Sequence, residues 1–360
     1  MKHSYMTAAA ISIAALMSTG AYAQEVDFSG KTIELIVPYG EGGGSSVHAR
    51  LLAPLLEQEL PGHPTIIIRN IEGGGSVRGI NEFAARAKPD GLTIAALATG
   101  TYYSYILGEE TVQYPLADFI PFLTSPYGVV SYGLTSFGLT GDPEHDVKYL
   151  QEHKAVYVGD GPADADMPVL YCFDLLGIEL NGVFGVSRGE SRQAFMRGES
   201  QVNYDNMASW DNELKPMVDD GTMVTLFTMG FQNENGEVVR DPVLPDTATC
   251  PELYEIVYGE PMSGVEKEVY ENMFAIRMVT AKTLVLPAGT PDDIVQTYQA
   301  AIERVVARPE LQSAAAQLEL GGYPQGTGEV AIEGHRTASV MSPEAKAELD
   351  RWLKDVWNID

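Results

Sequence analysis

Two runs of three glycines are the places where this chain could do chemistry with its backbone. Gly42-Gly43-Gly44 runs into Ser45 and Ser46, and Gly73-Gly74-Gly75 runs into Ser76. Glycine reaches φ > 0 without strain and lets another molecule approach the backbone closely. Successive N–H groups in such a loop, at the start of a helix, form a nest for an anion. The serines either cap those helices or donate hydroxyls. A matched pair of nests suits one or two carboxylates, whereas each alone reads equally as a tight turn. Neither loop completes G-x-x-x-x-G-K-[ST] or G-x-G-x-x-G, so the chain lacks a nucleotide fingerprint. Further candidates follow other strands: Gly159-Asp160-Gly161-Pro162 and Asp205-Asn206. Asp205 suits a ligand amine or hydroxyl, or caps the next helix.

These loops need elements to hold them. Thr32 to Pro38 reads as a strand that enters the first loop through Tyr39, Gly40 and Glu41. Leu51, Leu52, Leu55 and Leu56 then recur at helical spacing. Pro54 falls inside that pattern, so a kink there, or a helix starting later than Ser46, is expected. Thr65 to Arg69 is a second strand, followed by the second glycine loop and a stripe at Ile80, Phe83, Ala84 and Ala87. Lys88-Pro89-Asp90-Gly91 is a turn. Leu92 to Leu97 is a third strand, with Thr99 after it. Later strands are read at Ala155 to Val158, Val183 to Val186, Gln201 to Tyr204, Met223 to Phe227 and Thr283 to Leu286. Helices are read at 168–176, 265–278, from Thr290-Pro291-Asp292-Asp293 onward, and from Ser342-Pro343-Glu344 to Trp357. Strands alternating with helices imply α/β architecture with largely parallel sheets. In an open sheet of this kind the ligand crevice lies beyond the carboxyl ends of the strands, where both glycine loops fall.

Length favours two lobes over one core. We expect 24–125 and 240–360 to build the first lobe and 126–239 the second. The net charge of −27 argues against nucleic acid as a partner, since phosphate binding needs clustered Lys and Arg. The start reads as a secretory leader: Lys2 and His3, an apolar run from Ala8 to Met17, and Ala21-Tyr22-Ala23, with cleavage expected after Ala23 and export to the periplasm. Export permits a disulfide between the only cysteines, Cys172 and Cys250, although spacing does not decide it. The six histidines are scattered, and neither a metal site nor a cofactor is expected. A monomer is the expected state.

The chain resembles the substrate-binding proteins of tripartite tricarboxylate transporters, the Bug family. The resembling stretches are IELIVPYGEGGGSSVHARLLAPLLEQEL, TIIIRNIEGGGSVRGINEFAARAKPDGLTIAAL, VNYDN, LPDTATCPEL and LPAGTPDDIVQTYQAAIERVVARPEL, in that order between Lys31 and Tyr323. The resemblance implies a type II periplasmic binding protein with two lobes and a hinge. It implies that 39–46 and 72–76 hold a ligand carboxylate, partly through water. It implies further lining at Thr99, Gly159 to Pro162, Asp205 and Asn206, and delivery of the ligand to membrane transporter subunits. The family often has aspartate where Ser46 stands and a proline-rich approach where Gly40-Glu41 stands. Glu41 sets a negative charge beside the proposed nest, which suits a ligand that also carries a cationic or hydroxyl group.

Two rival readings remain. A periplasmic sensor for a membrane kinase would use the same pocket. A hydrolase would use Gly185-Val186-Ser187-Arg188-Gly189, which fits G-x-S-x-G between a strand and a helix, with His335 downstream. Tyr102, Tyr103 and Tyr105 form an aromatic cluster read as core or cleft rim, with stacking on an aromatic acid as the sharper alternative.

Overall fold

The computed structural model describes residues 26–359 except 43, 234, 235, 314, 315, 318, 319 and 321. The expected leader, the expected cleavage site and Gly43 therefore lie outside the described residues. Two five-stranded sheets organise the chain. The first contains β1 (Thr32–Val37), β2 (Thr65–Asn70), β3 (Thr93–Ala98), β4 (Ile120–Ser125) and β12 (Lys282–Leu286), in the order β2-β1-β3-β12-β4. The second contains β5 (Val129–Leu134), β6 (Ala155–Gly159), β7 (Leu180–Phe184), β8 (Val202–Asn206) and β9 (Met223–Thr228), in the order β7-β6-β8-β5-β9. A small hairpin, β10 (Phe231–Gln232) and β11 (Val238–Val239), stands apart.

The two sheets share one plan. Three strands run parallel, and the fourth is antiparallel to both its neighbours. In each sheet that fourth strand is the one the chain inserts after crossing from the other sheet. β5 follows β4 through Pro126, Tyr127 and Gly128, and β12 is the return. The crossings touch: the Tyr127 N–H donates to the Met278 carbonyl at 3.1 Å, and the Lys282 ammonium stands 5.3 Å over the Tyr127 ring.

The parallel strands are apolar runs because both faces are covered. Ile33, Leu35 and Val37 of β1 and Ile94 of β3 pack with Leu52, Ala53 and Leu56 of helix Gly44–Glu59 and with Tyr298, Ala301, Ile302 and Val305 of helix Asp292–Val306. The first helix starts at Gly44, earlier than one of the two expectations, and Pro54 lies inside it. β7 is displaced from the expected Val183 to Val186. Pairing with β6 runs from Ala155↔Leu180 to Gly159↔Phe184, and Gly185 then leaves the strand at φ 95°.

Cys172 and Cys250 form a disulfide that ties helix Met167–Leu175 to helix Cys250–Tyr258. The last helix, Pro343–Trp357, is capped by Ser342 and sets the buried Trp352 edge-on to Tyr171, with ring centres 5.2 Å apart.

Candidate functional site

Register shows which sheet ends face one another. Lys282 pairs with Ala98 and with Ser125, so the start of β12 and the ends of β3 and β4 share one edge of the first sheet. Val129 pairs with Asn206, so the start of β5 and the end of β8 share one edge of the second. Only Pro126, Tyr127 and Gly128 separate Ser125 from Val129. Four residue steps span at most about 14 Å. The carboxyl edges of both sheets therefore meet at this link, and the loops after β1, β2, β3, β6, β7 and β8 stand around it.

On the first edge the glycine loops are braced from behind. The Asn70 amide donates to the Tyr39 carbonyl at 2.7 Å and to the Ser46 hydroxyl. Ser46 is buried, so its hydroxyl serves this brace. Gly40 faces Glu72, whose carboxylate lies 2.8 Å from where a Cβ would be. The Glu41 side chain is exposed, and the Glu41 carbonyl accepts from Arg50 at 2.5 Å. Gly42 is exposed, and Gly44 starts the helix with the Lys282 ammonium 3.9 Å from its virtual Cβ. Ser45 and Thr99 are half-buried.

The second loop has the more unusual backbone. Gly73, Gly74, Gly75 and Ser76 have φ of 136°, 56°, 64° and 118°. The Ser76 N–H donates back to Gly73, and the buried Ser76 hydroxyl accepts from Thr101 at 2.9 Å. The N–H groups of Gly73, Gly74 and Gly75 donate to no acceptor among the described residues, and all three glycines are exposed. They are the free donors that an anion nest requires. Tyr39 and Gly100 close round this loop: a Cβ on Gly100 would lie 3.1 Å from the Gly75 carbonyl and 3.3 Å from the Tyr39 hydroxyl.

The second edge is built around an arginine. Arg188 donates to Asp166 (3.1 Å), to the Asn203 amide oxygen (2.9 Å) and to the Tyr204 carbonyl (2.7 Å), and its guanidinium lies 4.0 Å from the centre of the Tyr204 ring. Asp166 also accepts from the Gly161 N–H at 3.2 Å. Gly159 is required here, since a Cβ would sit 1.9 Å from the Asp166 carboxylate. Asp160 is half-buried. Burial and the neighbouring Asp166 push its carboxyl up to about 6, against the pull of Arg188. Pro162 is buried and Gly161 half-buried.

Asp205 and Asn206 sit on this edge with their side chains already engaged. The buried Asp205 carboxylate is clamped by Arg192, at 2.7 Å and 3.1 Å. The Asn206 side chain accepts from the Ser209 N–H at 3.0 Å as a helix cap.

The return crossing brings a third feature. Helix Gly264–Phe274 ends in a π turn, Ala275–Val279, that carries Arg277. Among the described residues the Arg277 Nε is buried without a partner, and so is the hydroxyl of Tyr103, from the helix after β3. Burial holds the Tyr103 hydroxyl well above its ordinary value. The charge of Arg277 opposes that rise, while Tyr204, Asp164 and Asp166 add to it.

No protein-family model and no curated protein matches the chain. Solved structures do. A TctC solute-binding protein from Polaromonas is 20% identical, with a TM-score of 0.65 over 89% of this chain and 99% of that one. MatC from Rhodopseudomonas palustris, solved with bound malate, is 21% identical, with a TM-score of 0.55 over 91% and 99%. The periplasmic binding protein BugD is 17% identical, with a TM-score of 0.56 over 92% and 99%. The fold is that of a two-lobed periplasmic binding protein.

In such a fold Ser187 and His335 belong to different structural tasks. Ser187 caps helix Arg188–Met196 in a reciprocal box with Glu190, and its hydroxyl donates to that carboxylate at 2.8 Å. His335 is buried in helix Gly328–Ser339, with one ring nitrogen on the Tyr102 hydroxyl (2.8 Å) and the other on the Leu116 carbonyl (3.0 Å). Neither contact assembles a nucleophile–base pair. Sequence reasoning missed Arg277 altogether; it placed the Ser187-Arg188-Gly189 segment at a loop after a strand without assigning Arg188 a role.

Proposed function

We propose that this chain is an extracytoplasmic solute-binding protein of the tripartite tricarboxylate, or Bug, type. It closes two lobes on a small organic carboxylate in the periplasm and presents it to membrane transporter subunits. The observation that carries this reading is the supply of anion-binding groups from separate parts of the fold: free N–H groups at Gly73 to Gly75 after β2, and the guanidinium of Arg277 on the return crossing. A ligand that touches both lobes favours the closed state by its differential affinity for that state. MatC and a second R. palustris protein of the same fold were solved with malate and adipate, which supports a carboxylate as the ligand.

Thermal unfolding of the ligand-stripped, refolded protein against a carboxylate panel tests this. A ligand at 100 times its Kd stabilises by about 2.7 kcal/mol, so one acid should raise Tm by several degrees. Gly74→Val should lose that shift while still unfolding cooperatively, because a β-branched residue is strained at positive φ. If no acid shifts Tm and p-nitrophenyl esters are turned over by wild type but not by Ser187→Ala, the hydrolase reading replaces this one.

A further inference from the structure

The crossings between the two sheets carry a cavity that is separate from the cleft. Tyr127 is turned toward the cleft, since its ring lies under the Lys282 ammonium, which stands beside Gly44 at the first glycine loop. The residues on either side of it, Pro126 and Gly128, line a cavity of about 380 Å³. Thr124 of β4, and Met278 and Val279 of the return crossing, complete that wall. The hairpin supplies a second wall through Phe231, Gln232 and Asn233. The segment from Tyr323 to Gly326, with Val330 of helix Gly328–Ser339, supplies a third. No residue of 39–46, 72–76, 159–162 or 205–206 lines it.

Two features of the lining decide what this cavity can take. It is uncharged: no Asp, Glu, His, Lys or Arg among the described residues lines it, in a chain with 50 acidic and 23 basic residues. An ion brought there would lose its water and meet no counter-charge. Two lining residues also hold polar atoms that are buried without a partner among the described residues, the Thr124 hydroxyl and the Gln325 amide oxygen. Buried polar atoms normally find one. The Gln325 amide nitrogen donates to the Tyr323 carbonyl at 2.8 Å, which fixes the orientation of the amide and leaves its oxygen as an acceptor alone. The Thr124 hydroxyl lies against Gly326, where a Cβ would collide with it, so only glycine leaves room beside that hydroxyl. The rest of the lining offers apolar surface. The Phe231 and Tyr323 rings are stacked with centres 5.7 Å apart, and the Tyr323 hydroxyl is engaged, donating to Asp241 at 2.8 Å.

Small-molecule sites enclose about 300–1,000 Å³ and join apolar walls to a few polar groups, and this cavity does both. We infer that it is a second binding site, for a neutral hydroxylated aromatic molecule. The ring packs on Phe231, Tyr323 and Met278, and the hydroxyl meets the Gln325 oxygen and the Thr124 hydroxyl. The inference goes beyond the carboxylate reading, since it concerns another cavity and an uncharged ligand. The walls come from both crossings, so a bound molecule sits on the links that any movement of one lobe against the other must bend.

Fluorine NMR titration of the protein tests this with 4-fluorophenol, fluorobenzene and 4-fluorobenzoate, at about pH 7.5, where a phenol is neutral. 4-Fluorophenol is expected to bind at least about fivefold more tightly than fluorobenzene, and 4-fluorobenzoate should not displace it. Val330→Trp changes an exposed lining position, 55% accessible, and should weaken both neutral probes. The double variant Thr124→Val/Gln325→Leu should erase the preference for the phenol and keep fluorobenzene binding, which also shows that the variant folds. The inference is overturned if 4-fluorophenol does not bind, or if fluorobenzene binds as tightly. It is equally overturned if 4-fluorobenzoate displaces 4-fluorophenol, or if Val330→Trp leaves the affinity for 4-fluorophenol unchanged. The binding-protein reading is decided separately, by the carboxylate panel above.

Discussion

At the scale of single residues, the cleft is assembled from groups whose roles are set by what already holds them. Asp160 and Asp205 are the same residue type at the ends of neighbouring strands, yet one has a carboxylate free to act and the other is clamped by Arg192. Asp160 therefore makes a testable contribution to stability. Its carboxyl is raised from the ordinary carboxylate range to about 6 by burial and by Asp166. The folded state then binds the proton first, so this group costs stability as pH rises from about 4 to 6 and the cost stays above that. Asp160→Asn should stabilise the protein at pH 7.5, by about 1 kcal/mol once half exposure is discounted, seen as a higher Tm, and change little at pH 4. Equal Tm at both pH values would mean that the carboxyl is not strained by its surroundings. The sequence made positions legible here better than roles. The glycine run before Ser76 marked a place where positive φ is needed, and Gly73, Gly74 and Gly75 adopt it. The clamp on Asp205 comes from a helix thirteen residues upstream in the chain, and no local spacing reports such a pairing. Ser46 looked like a donor for the same reason, until Asn70 took its hydroxyl from the side.

Elements were easier to read where hydrophobic period and turn chemistry agreed. β1, β2 and β3, with their helices, follow directly from apolar runs ended by glycine. β4 and β5 were not read, because Ile120–Ser125 and Val129–Leu134 lie close together around the crossing link and carry no glycine loop of their own. β7 was read too late because Val183 and Val186 suggested the strand, while pairing with β6 starts it at Leu180. The disulfide was permitted by the sequence and needed the fold to decide it, since only packing brings helix Met167–Leu175 beside helix Cys250–Tyr258. The bond closes a loop with a sequence separation of 78. In the chain-entropy account a loop of that size stabilises by about 4–5 kcal/mol. The double variant Cys172→Ser/Cys250→Ser should therefore unfold well below the wild type in denaturant while its folded fraction keeps its ligand affinity. A loss of only a few tenths of a kcal/mol would show that core packing around these helices holds the unfolded ensemble nearly as compactly as the bond does.

For the whole molecule the governing fact is the excess of charge, with 50 acidic against 23 basic residues. Most ion pairs among the described residues are exposed, and several join neighbours three or four apart in one helix. Such pairs contribute little each, so long-range repulsion should outweigh them. Screening shortens from about 10 Å at 0.1 M salt to about 3 Å at 1 M. Repulsion between distant carboxylates is then removed, while contacts under 4 Å survive in part. Tm should consequently rise with sodium chloride between 0.02 M and 1 M, by roughly several degrees. The same field reaches the ligand. A dianion approaches this surface against repulsion, so its association rate should increase with salt. Stopped-flow binding of succinate across that salt range would measure the slope. A Tm that falls with salt would mean that the exposed pairs, and not the excess charge, dominate the electrostatics of the fold. An association rate for succinate that stays flat across the salt range would show that the excess charge of the surface does not reach the entering ligand.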